Sequence, residues 1–469
     1  MSRLLFTNPP WYTFEDGIHK HGVRERWPSL GPGGLPHLGL MKGKIYAPYP
    51  FHMAYASSLC REDGHDVWFY DALTECDSIA VALMKMENFA PEITFVNISA
   101  ASEEKDLAIA KSISLMGSKI CLVGSHATVY AERLIKLPFI SYITLGEYDL
   151  AAAKISRGGA DGIYPVELVQ QLDTLPFPIL EGPAAMYYND TFTFAPFFNP
   201  GQIQIWTTRG CRWACSHCVW ANTMYDIKGK GRYRQRTAGN VLSEIDYRCS
   251  RLPVGNVLFD DDTFSDVMKE VKGDPAYDRL TGICDGMEKR GLQWGAMTRI
   301  DTNSLEMWKR FYESGMIGCK IGIESFSVRT LKKIKKGCRI NDIADRVCDI
   351  LDIGVKVYAS TMAHIPGETE EDRELTVNTL SQIRSQYGQD KFNFQRQHAT
   401  PYPGTPLYEQ FKAAGFDMDS DLSLYDGGGS RMHALVEAYN KKTNVQGFED
   451  GSERVMENTH IEGIGDLAR

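Results

Sequence analysis

The fold turns on Gln202-Ile203-Gln204-Ile205-Trp206-Thr207-Thr208-Arg209-Gly210-Cys211-Arg212-Trp213-Ala214-Cys215-Ser216-His217-Cys218. Its first half is apolar and strand-like, Gly210 ends it, and a C-x3-C-x2-C string follows at once. The other eight of the 11 cysteines, at 60, 76, 121, 249, 284, 319, 338 and 348, are dispersed. A tight cysteine group in a chain too long to need disulfide staples reads as metal or redox chemistry. Zinc prefers four ligands in matched pairs, and here only His217 offers itself as a fourth. Three thiolates on one tight loop suit a cuboidal 4Fe–4S cluster instead, with the fourth iron open to a ligand. Cys211, Cys215 and Cys218 are therefore the candidate metal ligands. Because the loop directly follows a strand, it sits at that strand's C-terminal end, where barrels and doubly wound sheets place their chemistry.

Strand candidates continue downstream at 256–260, 292–297, 318–323, 355–359 and 392–397, with helical stretches such as 238–248 and 370–385 between them. Six strands over 199–410 fall short of the eight of a full barrel, so a partial, open-sided (β/α)6 barrel is expected. Upstream, strands at 4–7, 66–71, 93–98 and 119–123 alternate with helices at 51–60 and 107–114. That alternation predicts a parallel sheet with right-handed crossovers, a Rossmann-like domain over 1–150. A proline-rich connector occupies 151–198, and 411–469 form a small C-terminal region that caps the open side of the barrel. Gly427-Gly428-Gly429-Ser430 reads as a flexible break, and Gly31-Pro32-Gly33-Gly34 as a turn rather than a phosphate loop. The fold class is α/β throughout.

With 43% hydrophobic and 24% charged residues among 469, the composition is globular and excludes wholesale disorder. Lys plus Arg is 51 and Asp plus Glu is 60, a net charge of −9. Sequence-independent nucleic-acid binding needs clustered positive charge, so no nucleic-acid partner is expected, and a neutral or cationic small molecule is tolerated. No apolar run is long enough to span a membrane, and the N-terminus lacks the features of a secretory signal, so a cytoplasmic location is expected.

Gly210 to Cys218 resembles the signature of radical S-adenosylmethionine (SAM) enzymes. The likeness extends to Asn256-Val257-Leu258-Phe259-Asp260-Asp261-Asp262-Thr263-Phe264, Ala296-Met297-Thr298-Arg299-Ile300-Asp301 and Lys320-Ile321-Gly322-Ile323-Glu324-Ser325. It continues through Ile365-Pro366-Gly367-Glu368-Thr369 and Thr400-Pro401-Tyr402-Pro403-Gly404-Thr405-Pro406. These segments are similar to the barrel strands of the class that carries a cobalamin-binding domain, and 1–150 is similar to that domain. The resemblance implies a cluster whose open iron chelates the amino and carboxylate groups of SAM, reductive cleavage of SAM to a 5′-deoxyadenosyl radical, and an external electron donor such as flavodoxin or ferredoxin. The family's aromatic residue before the third cysteine is His217 here, with a place against SAM.

Arg299 and Glu324 end successive strands on one face. Arg suits a forked contact to the SAM carboxylate and Glu accepts from its ammonium or ribose, or the two form a barrel-mouth ion pair. Asp260, Asp261 and Asp262 either bind substrate or act as a general base, or cap a strand end. Tyr225 either faces the cavity as a phenolic donor or packs in the core. Arg232, Arg234 and Arg236 either line the entrance or are solvated. In the N-terminal domain no D-x-H-x-x-G cobalt-ligand loop follows the first strand, and the near match at Asn458 to Gly463 lies too close to the C-terminus to serve. The loops that resemble the class are Ser99 to Ser102, Gly124 to Thr128 and Gly146 to Asp149, which nominate Ser99, Ser102, Ser125, His126, Thr128 and Glu147 as cobalamin contacts. The expected activity is hydrogen abstraction from a small, natural-product-like molecule, with cobalamin-dependent C-methylation. The alternative is SAM-only radical dehydration, deoxygenation, epimerisation or rearrangement of a sugar or aminocyclitol with an empty N-terminal domain. A non-enzymatic iron–sulfur or corrinoid sensor is the third reading.

Overall fold

A computed structural model describes residues 1–10, 29–30, 45–75, 77–186, 188–190, 201–225, 233–267, 270–338, 342–425 and 429–443. Arg232, Gly31 to Gly34, Gly427 and Gly428, and Asn458 to Gly463 lie outside them.

Alternating apolar residues build the first layer. Leu4 and Phe6 point to one face of the strand Arg3–Asn8 and Leu5 to the other, each into its own buried cluster. A strand buried on both faces belongs in a parallel sheet covered by helices. The sheet is six-stranded and parallel, in the order Asp66–Asp71, Arg3–Asn8, Ile93–Asn97, Lys119–Val123, Tyr142–Thr144, Gly162–Tyr164. Strand order reverses between Arg3–Asn8 and Ile93–Asn97, which makes their C-terminal ends the topological switch point of a doubly wound sheet.

The boundary expected at 150 needs correction. It falls inside the helix Asp149–Ser156, and the sheet takes a further strand at Gly162–Tyr164. Both this strand and Tyr142–Thr144 have only three residues, too few to show a period in the sequence.

The second layer is a parallel sheet of six strands in sequential order: Gln202–Ile205, Asn256–Phe259, Gln293–Thr298, Met316–Glu324, Lys356–Ala363 and Phe392–His398. The two end strands do not pair, so the barrel is open-sided. Ile203, Ile205, Val257, Phe259, Trp294, Cys319, Ile321, Val357 and Ala359 alternate outward into the helix-packed core. Residues of the opposite parity are largely polar, and Tyr358 and Gln395 bond across neighbouring strands at 3.4 Å. The final helix, Gly429–Lys442, begins within the glycine run read as a break. No described helix is long and apolar enough to cross a membrane.

Glu103, at the head of the helix Glu103–Leu115, ties three helices of the first layer together. It bonds His126 at 2.5 Å and Arg133 at 2.8 Å. Burial opposes its ionisation, but these bonds outweigh that and lower its pKa from 4.5 to about 2. His126 is pushed below 6.5 by its own burial, so near neutrality Arg133 supplies the charge. A carboxylate with a depressed folded pKa stabilises the fold above its unfolded value and loses that contribution as pH falls toward the folded one. Glu103→Gln is expected to remove about 2 kcal/mol at pH 7 and flatten the acid limb between pH 4.5 and 2, read by urea unfolding across pH.

Candidate active site

Asp261 fixes the entrance to the cysteine loop. Its carboxylate accepts from the backbone N–H groups of Thr207 and Thr208, both at 2.7 Å, and from their hydroxyls at 2.8 and 3.0 Å. All of these groups are buried. Gly210, at φ +83, then turns the chain into the cysteines. Ser216 N–H donates to the Ile334 carbonyl at 2.9 Å, and the Ser216 carbonyl accepts from Leu407 N–H at 3.0 Å. The Asn222 amide donates to the carbonyls of Cys215 at 3.1 Å and Cys218 at 2.6 Å. The loop is thus pinned by backbone bonds on both sides, and Cys211 Sγ lies 3.4 Å from the Thr263 hydroxyl.

Burial pushes the Cys218 thiol up to about 12, with Cys215, Cys211 and Asp262 adding to the rise. Cys215 is raised for the same first reason, although Lys336 and Arg299 oppose it. Thiols raised by burial in this way stay protonated unless a cation collects their negative charge, which is the chemistry of a metal–thiolate site such as an iron–sulfur cluster. The donor set therefore fits a cluster.

Arg299 and Glu324 take separate partners. Arg299 donates to Asp301 at 2.9 and 3.2 Å and to the Lys336 carbonyl at 3.0 Å, and its guanidinium lies 4.0 Å over the Trp213 ring. Glu324 meets Lys336 Nζ at 2.9 Å and His217 Nε2 at 3.9 Å. Burial raises the Glu324 pKa, but Lys336 and His217 outweigh it and the carboxyl sits below its usual range. Burial lowers His217, which is neutral near pH 7. Glu324 is left-handed at φ +66, an uncommon conformation for a residue with a side chain, and such conformations gather at functional sites.

Sequence reasoning missed Trp213, Asp301 and Lys336. Gly322 was the available signal, since a Cβ there would lie 2.8 Å from Glu324 Oε1 and 3.0 Å from Lys336 Nζ.

The three aspartates divide. Asp261 is a strand-end cap, which corrects its candidacy as a catalytic group, because both its oxygens are taken. Asp260 is buried at the end of its strand. Asp262 accepts from the Tyr225 hydroxyl at 2.8 Å, so those two candidates come together. Tyr225 itself is buried, and burial holds its hydroxyl well above the usual pKa.

The residues expected to hold cobalamin mostly serve their own layer. Ser99 and Ser102 hydroxyls meet at 2.6 Å, and Asp106 accepts from Ser102 at 2.6 Å and from Ser99 N–H at 3.2 Å. His126 is held by Glu103. Thr128 accepts from Gly146 N–H at 2.8 Å and donates to the Gly124 carbonyl at 2.9 Å. Ser125 is buried at the start of Ser125–Val129.

Glu147 is bonded by both Arg209 and Arg234, the latter at 2.7 Å, and Arg209 also holds Asp149 at 2.7 and 3.1 Å. His52, Glu147 and Asp149 approach as a potential metal group, but the two guanidiniums already engage the carboxylates. These bonds, with Glu147 N–H to the Met224 carbonyl at 3.0 Å, press the strand-end loops of the first sheet against the helix that follows the cysteines. Gly146 permits this approach, since a Cβ would stand 2.7 Å from the Met224 carbonyl oxygen.

A second set of polar atoms, unlike these, is buried without a hydrogen-bond partner: Thr7 Oγ1, Asn8 Oδ1, both amide atoms of Asn97, and Thr144 Oγ1. They lie at the C-terminal ends of Arg3–Asn8 and Ile93–Asn97, which flank the switch point, and of Tyr142–Thr144 two strands further along the same sheet edge. Buried polar groups are ordinarily paired, so this set fits a large polar ligand at the crevice where doubly wound folds bind cofactors. The Ser99, Thr128 and Glu147 loops had the family pattern, whereas Thr7, Asn8, Asn97 and Thr144 carry no motif.

Residues 205–380 match the Radical SAM superfamily. An uncharacterised methyltransferase of Pyrococcus horikoshii is 26% identical over 385 residues, 77% of this chain and 78% of that protein. Among solved structures, the radical SAM methyltransferase TsrM of Kitasatospora setae, with cobalamin and a [4Fe-4S] cluster bound, superposes with a TM-score of 0.58 at 16% identity over 88% of this chain and 75% of that one. OxsB, a cobalamin-dependent SAM radical enzyme with aqua-cobalamin and SAM bound, gives 0.57 at 13% identity over 99% of this chain and 62% of its own. This chain thus spans less than two thirds of the length of OxsB, and at these identities the likeness is one of fold.

Asp261 Oδ1 accepts three bonds and Oδ2 one, so Asp261→Asn turns one of these acceptors into a donor facing the Thr207 and Thr208 donors. Leaving such buried groups mismatched is expected to cost about 1–3 kcal/mol in thermal or urea unfolding and to lower the iron retained per chain. Lys336→Met is expected to weaken SAM binding at least tenfold in equilibrium titration of the iron-loaded protein, with Lys336→Arg recovering most of it. Equal binding in Lys336→Met would show that Glu324 needs no positioning partner.

Proposed function

We propose that this chain, whose residues 205–380 match the Radical SAM superfamily, is a radical SAM enzyme that abstracts hydrogen from a small molecule and methylates carbon with the help of a corrinoid bound in the N-terminal layer. Cys211, Cys215 and Cys218 would hold a 4Fe–4S cluster at the mouth of the barrel, and Arg299, Glu324 and His217 would surround SAM. Lys336 and Asp301 hold those side chains in position. When bound, the cluster delivers the electron that splits SAM, and the corrinoid carries the methyl group. The chain's own residues orient the reactants and keep out water.

One observation carries the corrinoid part: the unpaired buried atoms of Thr7, Asn8, Asn97 and Thr144 along the C-terminal strand ends of a sheet whose strand-end loops are docked on the helix after the cysteines. A ligand there would lie between the first sheet and the cluster loop. The cobalamin bound by TsrM and OxsB, and the methyltransferase name of the Pyrococcus protein, support the same reading. Substrate would sit between the two cofactors, where Asp262, with its bond from Tyr225, offers a carboxylate for a hydroxyl or amine.

The SAM-only reading, dehydration or rearrangement with no corrinoid, is favoured by the engagement of Ser99, Ser102, His126 and Glu147 within the protein. Anaerobic purification with iron and corrinoid assays, followed by turnover, separates the two. Methylation yields 5′-deoxyadenosine together with S-adenosylhomocysteine and a methylated product, whereas the alternative yields 5′-deoxyadenosine and methionine without S-adenosylhomocysteine, and a product that has lost water or oxygen or is an isomer of the substrate. Normal turnover without corrinoid would overturn methylation, and absence of any SAM cleavage in iron-loaded protein would overturn both. Asn97→Leu is expected to lower corrinoid affinity at least tenfold in spectroscopic titration. The melting temperature of corrinoid-free protein should not fall, because an unpaired buried amide is exchanged for an apolar group of similar shape.

A further inference from the structure

Residues 329–341 contain six Lys or Arg (Arg329, Lys332, Lys333, Lys335, Lys336, Arg339) and no Asp or Glu, in a chain of net charge −9. Two of these cations are used internally, Arg329 by Asp372 at 2.7 Å and Lys336 by Glu324 at 2.9 Å. Lys332, Lys333 and Lys335 are exposed, and none is paired with a carboxylate among the described residues. Lys333 Nζ donates to the Gly367 carbonyl. The exposed Glu370 and Glu371 head the helix Glu370–Tyr387, and Arg373 takes Glu370.

This segment touches the cysteine loop directly. The Ile334 carbonyl accepts from Ser216 N–H at 2.9 Å, between Cys215 and Cys218. Gly337 packs so closely on Trp213 that a Cβ there would lie 3.2 Å from the ring. Left-handed turns at Lys335, φ +54, and Gly337, φ +61, send Ile334 inward while Lys332, Lys333 and Lys335 face out. Arg212, on the loop itself, has half its side chain exposed (52%) and buried Asp266 as its partner.

We propose that this basic edge is the docking surface for a small acidic one-electron carrier protein that reduces the cluster. The inference rests on the cluster reading above and adds where the electron enters. One electron leaves the reduced flavin or iron–sulfur centre of the carrier and one is gained by the cluster, with no bond made or broken. The opposite charge of an acidic carrier steers its encounter with this edge, on a chain whose net charge of −9 otherwise disfavours the approach. Three unpaired lysines on an otherwise acidic chain are too few for a phosphate backbone to hold.

The test uses full-length, iron-loaded protein and two reductants, photoreduced acidic flavodoxin and dithionite, with cluster reduction followed by absorbance. Lys332→Glu/Lys335→Glu is expected to slow reduction by flavodoxin at least tenfold and leave reduction by dithionite unchanged. Lys332→Gln/Lys335→Gln should fall between it and the wild type. Raising salt from about 50 to 300 mM should slow the wild type and have little effect on the charge-reversed variant. Equal flavodoxin rates in wild type and both variants, or an unchanged salt response, would overturn the docking surface. So would RNA binding that these substitutions abolish while the flavodoxin rate stays constant. A wild-type protein that binds no iron would instead sink the functional reading.

Discussion

Arg209 carries the contact on which the arrangement depends. It stands two residues before the first cysteine, yet its guanidinium is bonded by Glu147 and Asp149 of the other layer and lies 4.5 Å from the Tyr55 ring. Glu147 is shared with Arg234, the partner strand residue of Arg209 in the short antiparallel pair that flanks the loop. All four charged groups are buried. Removing one member of such a set leaves an uncompensated buried charge, at a cost of about 3–5 kcal/mol, whereas intact it fixes one relative placement of its neighbours. Here those neighbours are the strand ends of a doubly wound sheet and the loop that would hold iron.

From that joint the site builds in two directions. Toward the barrel, Asp261 and the backbone bonds of Ser216 set the cysteine loop against the next strand and against the segments at 334 and 407. The charged residues behind it form two separate pairs, Arg299 with Asp301 and Glu324 with Lys336, with Trp213 and Gly322 shaped to admit them. Toward the first layer, Gly146 lets backbone reach backbone at Met224, and the switch point lies beyond with its unpaired amides and hydroxyls. A radical enzyme must bring an electron, SAM and a substrate to one place and exclude the rest of the cell.

The local sequence made the central elements legible because each carries its own period or breaker. The strand Asp66–Asp71 and the strand Lys119–Val123 have the bounds expected from their apolar runs. The barrel strands fall within a few residues of their expected places, since their apolar residues alternate with polar ones at the strand period. The three-residue strands at Tyr142–Thr144 and Gly162–Tyr164 were not legible, because three residues define no period and these form by pairing with an edge already in place.

Sequence by itself determined the two-layer α/β class, the cysteine spacing that selects three thiolates on a strand-end loop, and the identity of Arg299, Glu324, Tyr225 and Asp262 as residues near it. Tertiary structure alone decided which charges meet. Asp261 caps Thr207 and Thr208 instead of facing substrate, and Glu147 is consumed by Arg209 and Arg234. Lys336, absent from every motif, emerges as the companion of Glu324. The physical reason is that an ionisable group's role depends on its burial and on its nearest opposite charge, and both are set by contacts between segments far apart in the chain.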